Sequence, residues 1–268
     1  ENKENNKITS LSFKNFSRIF KMKIGLISDI HANLPALKNV INFLKEKEVS
    51  SIICCGDIVG YGPYPNEVIE FLKGIENFYS VCGNHDWAVL GLVDLNVLNE
   101  DARRAILWTR DVLNEEGFEY LSNLPPKLTG PNFMIVHGSL RDPIMEYITG
   151  PDVYAYSLPK QTRRVLFVGH THRPIYYTAT STGLINPSFF IPERPVTIEV
   201  ESDLRYLFNV GSVGQPRDGN PFSSCVIYDT KKREVTLYRV SYDIEKVQNK
   251  MKEVGLPEFL IERLKEGV

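Results

Sequence analysis

The hydrophobic positions along the chain fall into two registers. Short unbroken apolar runs, KIGLIS (23–28), SIICC (51–55) and FYSVC (78–82), each give way to polar or glycine residues. Runs of this length without alternation read as strands buried on both faces. Between them, apolar residues recur at helical spacing. In 35–47 they are Leu37, Val40, Ile41 and Leu44, behind a proline that suits a first helical turn. A second such segment spans 65–75. Strand–helix–strand–helix–strand predicts βαβ units with parallel strands. Residues 99–126 read as helical, with Asn99 as N-cap and Gly117 as a stop. Strands follow at 132–137 and 164–170, separated by a Pro- and Tyr-rich stretch with room for only short helices. From 175–180 to 237–242 short strands and turns dominate, and 243–253 and 257–266 are helical. The expectation is one α/β domain over 22–268, with a helical insertion near 87–131 placed to cap a site.

Composition narrows this picture. The chain has 268 residues, 43% hydrophobic and 24% charged, enough to bury a core. A formal net charge of −2 gives no basis for an extended nucleic-acid surface, so any phosphate binding must be local. Cys54, Cys55, Cys82 and Cys225 form no C-x-x-C pair, and the first three lie in apolar runs, which predicts reduced, packed thiols and a cytoplasmic protein. Residues 1–21 are rich in Asn, Lys and Ser. They read as a disordered extension upstream of a start at Met22. A short amphipathic anchor on Leu11, Phe13, Phe16, Ile19 and Phe20 is the alternative. No apolar run has the length of a signal core or a membrane span.

The chain uses only five histidines: His31, His85, His137, His170 and His172. A lone histidine is ordinarily a satisfied or exposed side chain. Here all five sit beside small residues, carboxylates or an asparagine, just after apolar strands, in ISDIH, CCGDIVG, VCGNHD, IVHGS and FVGHTH (where CCGDIVG supplies the carboxylate). Strand ends on one sheet edge converge, and that edge is where open α/β sheets bind ligands. The convergent set is Asp29, His31, Asp57, Asn84, His85, His137, His170 and His172. Clustered carboxylates and imidazoles without thiolates suit Mn²⁺, Fe, Co²⁺ or Zn²⁺. There are too many ligands for one ion, so two are expected.

Five ordered motifs carry a family resemblance: D-x-H at 29–31, GD-x-x-G at 56–60, GNHD at 83–86, HG at 137–138 and GHTH at 169–172. Over about residues 22–175 the chain resembles the calcineurin-like metallophosphoesterases. NVGSVGQPRDG (209–219) and GDIVGYGPYP (56–65) are similar to the compact bacterial and archaeal phosphodiesterase branch. The tail beyond 243 matches nothing in that pattern.

The resemblance implies two mixed β-sheets packed as a sandwich flanked by helices, with a small helical cap. It implies that Asp29, His31 and His172 bind one metal, that Asn84, His137 and His170 bind the other, and that Asp57 bridges both. Two divalent ions are implied, Mn first, with Fe, Zn, Co, Ni or Mg as alternatives. A metal-bridging hydroxide would attack phosphorus in line, with His85 assisting the leaving group and Asp86 orienting it. The substrate would be a phosphodiester or nucleotide polyphosphate, a small nucleotide-like partner.

Arg217 reads equally as a phosphate contact or a surface salt bridge. Asn33 is a substrate contact or the N-cap of the helix near Pro35. Tyr61 and Tyr64 read as aromatic loop packing, with walling of the site and stacking on a base as the alternative, and Trp87 and Trp108 as core or cap interface. Self-association into a homo-oligomer is left open. The alternative function is a catalytically silent metal-binding scaffold or regulatory protein of the same fold.

Overall fold

The computed structural model of the chain describes residues 23–189 and 195–268. The extension read at 1–21 lies outside the described residues. The chain opens with β1 (Lys23–Ile27), α1 (Leu34–Glu46), β2 (Ser51–Cys54), α2 (Pro65–Lys73), β3 (Phe78–Ser80) and the short α3 (Asn84–Val89). Next come α4 (Glu100–Val112), α5 (Glu115–Ser122), β4 (Lys127–Thr129), β5 (Phe133–Val136), α6 (Pro151–Ser157) and β6 (Val165–Val168). The remainder is β7 (Ile175–Ala179), β8 (Ile185–Phe189), β9 (Val196–Glu199), β10 (Arg205–Asn209), β11 (Ser223–Asp229), β12 (Glu234–Val240), α7 (Ile244–Glu253) and α8 (Glu258–Glu266).

Two six-stranded mixed sheets result, ordered β3-β2-β1-β11-β12-β9 and β4-β5-β6-β10-β7-β8. β1, β2 and β3 run parallel, with Leu26 opposite Ile53 and Ile53 opposite Tyr79. β5, β6 and β10 are parallel in the second sheet, where Phe167 stands opposite Ile135 on one side and Phe208 on the other.

Side-chain alternation builds three apolar layers. Leu26, Ile53, Phe133, Ile135, Phe167 and Phe208 point between the sheets. Their neighbours Ile27, Ile52 and Cys54 face the helices over the first sheet. Met134, Val136, Leu166 and Leu207 face α6 over the second. Both faces of the central strands are thus buried, which is why those runs read as unbroken rather than alternating.

The insertion departs from its sequence reading. Asn99 does cap α4, its Oδ1 accepting from Ala102 N–H at 2.9 Å. Gly117, expected as a stop, lies inside α5. The break comes earlier, because Asn114 Oδ1 accepts from Gly117 N–H at 2.8 Å and starts a second helix. Gly117 instead leaves room for Leu113, whose Cδ1 would stand 2.4 Å from an added Cβ. Helices α4 and α5 pack against α2 and α3 and share the outer core through Ala105, Ile106 and Leu121. Thr109 Oγ1 donates to Gly60 O at 3.1 Å, tying α4 to the rim of the strand exits. The four cysteines are buried and unpaired. Among the described residues, no helix is long and apolar enough to cross a membrane.

Candidate metal centre

Three of the strand exits that carry the chemistry, those of β1, β2 and β6, turn sharply. Asp29, His31, Asp57, His170 and His172 all adopt positive φ, between 47° and 70°. Non-glycine residues in this region cost on the order of 1–3 kcal/mol each and persist only where surrounding structure enforces them. The enforcement is visible. Asp29 and His31 N–H donate to the carbonyls of Gly56 and Asp57, each at 3.0 Å. The β10 exit loop latches onto the same turn, with Gly214 N–H on Asp29 O at 2.9 Å. Gly169 is needed for close approach, since a Cβ there would lie 1.9 Å from Ser28 Oγ and 2.6 Å from Asp29 Oδ2.

These turns bring the ligand candidates together in two groups that share one residue. Donor atoms of Asp29, His31, Asp57 and His172 lie within 4.8 Å of one another, as do those of Asp57, His137 and His170. Asp57 Oδ2 stands 3.6 Å from His31 Nε2 and 3.3 Å from His137 Nε2. Its other oxygen accepts from His85 N–H at 2.9 Å, which fixes the carboxylate plane. Asn84 Oδ1 lies 3.1 Å from His137 Nε2. All seven residues are at most 2% exposed.

The ring nitrogens supply the test of fit. His31 Nδ1, His137 Nδ1 and His172 Nδ1 sit 3.1, 2.8 and 2.6 Å from the carbonyls of Val59, Cys55 and Gln215. His170 uses Nε2 instead, 3.1 Å from Met145 O. A nitrogen facing a carbonyl must carry the proton, so in a neutral ring the other nitrogen presents a bare lone pair. Those inner nitrogens face one another: His31 Nε2 and His172 Nε2 at 3.1 Å, His137 Nε2 and His170 Nδ1 at 3.0 Å. Asp29 Oδ1, buried between them, has no hydrogen-bond partner among the described residues. Facing lone pairs and an orphaned carboxylate oxygen fit cations.

The electrostatics agree. Burial works to raise Asp29 and Asp57, yet the surrounding imidazoles more than offset it and hold both below the usual carboxylate range. Burial lowers His31, His172 and His170, the last to about 3. His137 goes the other way, up to about 9, because the Asp57 carboxylate outweighs its desolvation. With no cation bound, His137 can keep a proton on Nε2 beside Asp57, the position a metal ion would take over; two carboxylates against that one positive charge leave a buried basin short of positive charge.

The other predicted residues divide. His85 is 4% exposed and T-shaped against His31, with ring centroids 4.8 Å apart. Its Nδ1 has no partner among the described residues. Asp86 does not orient it. The Asp86 carboxylate accepts from the N–H groups of Ile58, Val59 and Gly83 and so holds the β2–α2 loop. Asn33 is committed to the fold at both ends, Oδ1 on Ala36 N–H at 3.2 Å and Nδ2 on Gly214 O at 2.9 Å. Tyr61 is a wall of the site, 4.3 Å from His85 and 4.6 Å from His31 between ring centroids. Tyr64 and Trp108 pack on the outer core. Arg217 lies over Tyr61, its guanidinium carbon 5.6 Å from the ring centroid.

Sequence reasoning missed Tyr147, which stacks on His170 at 3.4 Å and 18°, and the approach of α7 and α8, whose Met251 and Leu264 face Tyr61 across a small cavity. Tyr147 sits in an irregular stretch without periodicity, so nothing local marked it.

Comparison with known proteins places this geometry. Residues 22–233 match the profile of the Calcineurin-like phosphoesterase superfamily domain. An uncharacterized protein of Methanocaldococcus jannaschii is 38% identical over 252 residues, 91% of this chain and 98% of its own length. The phosphodiesterase YfcE of Escherichia coli is 25% identical over 212 residues, 75% of this chain and 85% of its own. The crystal structure of a metallophosphoesterase from Sphaerobacter thermophilus superposes with a TM-score of 0.80 at 40% identity, over 92% of this chain and 99% of that one. With a matching profile over most of its length and a buried Asp/His cluster at the strand exits, the chain belongs to the calcineurin-like phosphoesterase superfamily.

Proposed function

We propose that the protein is a binuclear metal-dependent phosphohydrolase acting on a phosphodiester or nucleotide polyphosphate, with His85 assisting the leaving group. The observation that supports it best is the position of Asp57 between two groups of inward-facing donors. When bound, two divalent ions would offset phosphate charge and bring a water's pKa down to about 7. Mn²⁺ is the first expectation for both. Asp29, His31 and His172 would hold one ion and Asn84, His137 and His170 the other, with Asp57 common to both.

The chain's own residues do the remaining work. Backbone carbonyls on the outer ring nitrogens orient the imidazoles. Tyr61 closes one side of the basin. Burial lowers His85 to about 4, so its ring is neutral in the free protein at pH 7. An arriving phosphate anion shifts the ring toward the protonated form, which can donate to a leaving oxygen. The packed, unpaired thiols fit a reducing cytoplasmic setting.

The test is metal titration of stripped protein with Mn²⁺, Co²⁺, Zn²⁺ and Mg²⁺, read as ions bound per chain and as turnover of bis(p-nitrophenyl) phosphate. Two ions and metal-dependent turnover are expected. Two ions without turnover of any phosphoester would favour the silent scaffold or regulatory protein. His85→Ala should lower kcat about 100-fold. The loss should be larger for an alkyl leaving group than for p-nitrophenolate, which needs little protonation. Equal losses would remove the acid role from His85.

A further inference from the structure

Helices α7 and α8 lie beyond the matched family domain, yet α8 reaches the mouth of the metal centre. We propose that Arg263 of α8, together with Arg217, holds a second phosphate of the substrate. The substrate class then narrows to small molecules with two adjacent phosphates, such as nucleoside diphosphates or longer polyphosphates. This rests on the phosphohydrolase reading of the neighbouring centre.

Two contacts fix the juxtaposition. Two residues beyond Arg217, Gly219 N–H donates to Gly267 O at the end of α8, at 2.9 Å. Gly267 sits so close to Asn220 that an added Cβ would lie 2.6–2.9 Å from its backbone. The loop carrying Arg217 and the last turn of the Arg263 helix are therefore docked backbone to backbone. On the metal side, Arg217 N–H donates to His172 O at 3.2 Å.

Among the described residues, neither guanidinium forms an ion pair with an aspartate or glutamate side chain. The obvious candidate for Arg217 is its neighbour Asp218, but that carboxylate is paired with Arg239 of β12. Arg217 spends one Nη2 hydrogen bond on Gln215 Oε1 at 2.7 Å, and its buried Nε has no partner among the described residues. Arg263 lies over the Phe259 ring at 4.9 Å and donates Nε to Val268 O. Asp101 of α4 acts on it without forming an ion pair. Burial, then the positive charge of Arg217, lowers Arg263 to about 10. Two half-buried cations that repel each other beside a phosphate site are stabilised by an anion between them. The guanidinium fork matches phosphate oxygens in geometry and charge.

Calorimetry on metal-loaded protein tests this with two probes, AMP and its non-hydrolysable α,β-methylene diphosphate analogue. The wild type should bind the diphosphate analogue about tenfold or more tighter than AMP, the scale of a charge-assisted contact. Arg263→Gln should lose that preference, and Arg263→Lys, which keeps the charge, should retain most of it. In turnover, Arg263→Gln should raise KM for a nucleoside diphosphate far more than for bis(p-nitrophenyl) phosphate. No wild-type preference, a preference retained in Arg263→Gln, or equal losses on both substrates would each overturn the proposal. Absent turnover of bis(p-nitrophenyl) phosphate by the wild type would instead overturn the phosphohydrolase reading, and the binding ratio would still report on Arg263.

Discussion

The interior of the sandwich and the strand exits are built from the same strands and obey opposite rules. Between the sheets, Leu26, Ile53, Phe167 and Phe208 are fully buried, extended and alternate as a pleat requires. Three or four residues further on, Asp29, Asp57 and His170 are just as buried, but charged or ionisable, with left-handed backbones. Apolar burial stabilises the first region, and stray polarity there would only destabilise it. The second concentrates strain, desolvated carboxylates and facing lone pairs that no folding argument favours. Local rules that fail together in one place mark a functional site. The interior supplies the stability that holds the exits in their strained form.

The comparison breaks most sharply at Asp57. Asp57→Asn removes the negative oxygen common to both donor groups. Turnover should fall by more than about 1,000-fold, beyond the usual loss from one stabilising donor, with fewer than two ions bound. The melting temperature of the metal-free protein should change far less. Phe167→Ala should do the reverse. A large cavity between the sheets should lower stability by about 3–5 kcal/mol, measured by urea unfolding, with activity per folded molecule nearly unchanged. If the interior variant lost activity at full folding, or the exit variant unfolded, the two regions would not be separable.

Sequence legibility divides along the same line. The central strands were readable because burial on both faces makes them unbroken apolar runs. The buried Asp/His cluster was readable because histidines are few and each follows such a run. What was not readable depends on contacts between distant segments. The partners of Asp86 are backbone N–H groups 27 and 28 residues earlier in the chain, and one three residues before it. Asn33 was ambiguous until Gly214, 181 residues away, took its amide. Arg263 follows a helical pattern that says nothing about its neighbour. Gly117 was misread because Asn114 competes for its N–H, a choice that local propensity leaves undecided.

The cysteines sharpen the comparison with the smallest expected effect. Cys55 directly precedes the Gly56–Asp57 turn, and its carbonyl orients His137, so by position it belongs to the exits. By burial it belongs to the interior: desolvation raises its thiol well above 9.0, and raises Cys82 and Cys225 to about 12. At pH 8 a thiol with that pKa is ionised in only about one molecule in 10,000, and the thiolate is the reactive form. The native protein should therefore resist alkylation by iodoacetamide until it unfolds. The sign follows for stability. A group raised on folding favours the native state below its unfolded pKa, and that contribution is lost as pH climbs above about 9. Removing metal should change the native alkylation rate less than about twofold, because apolar packing rather than bound cations protects these thiols. Rapid labelling of Cys55 alone in stripped protein would show that metals, and not the sandwich, hold the β2 exit in place.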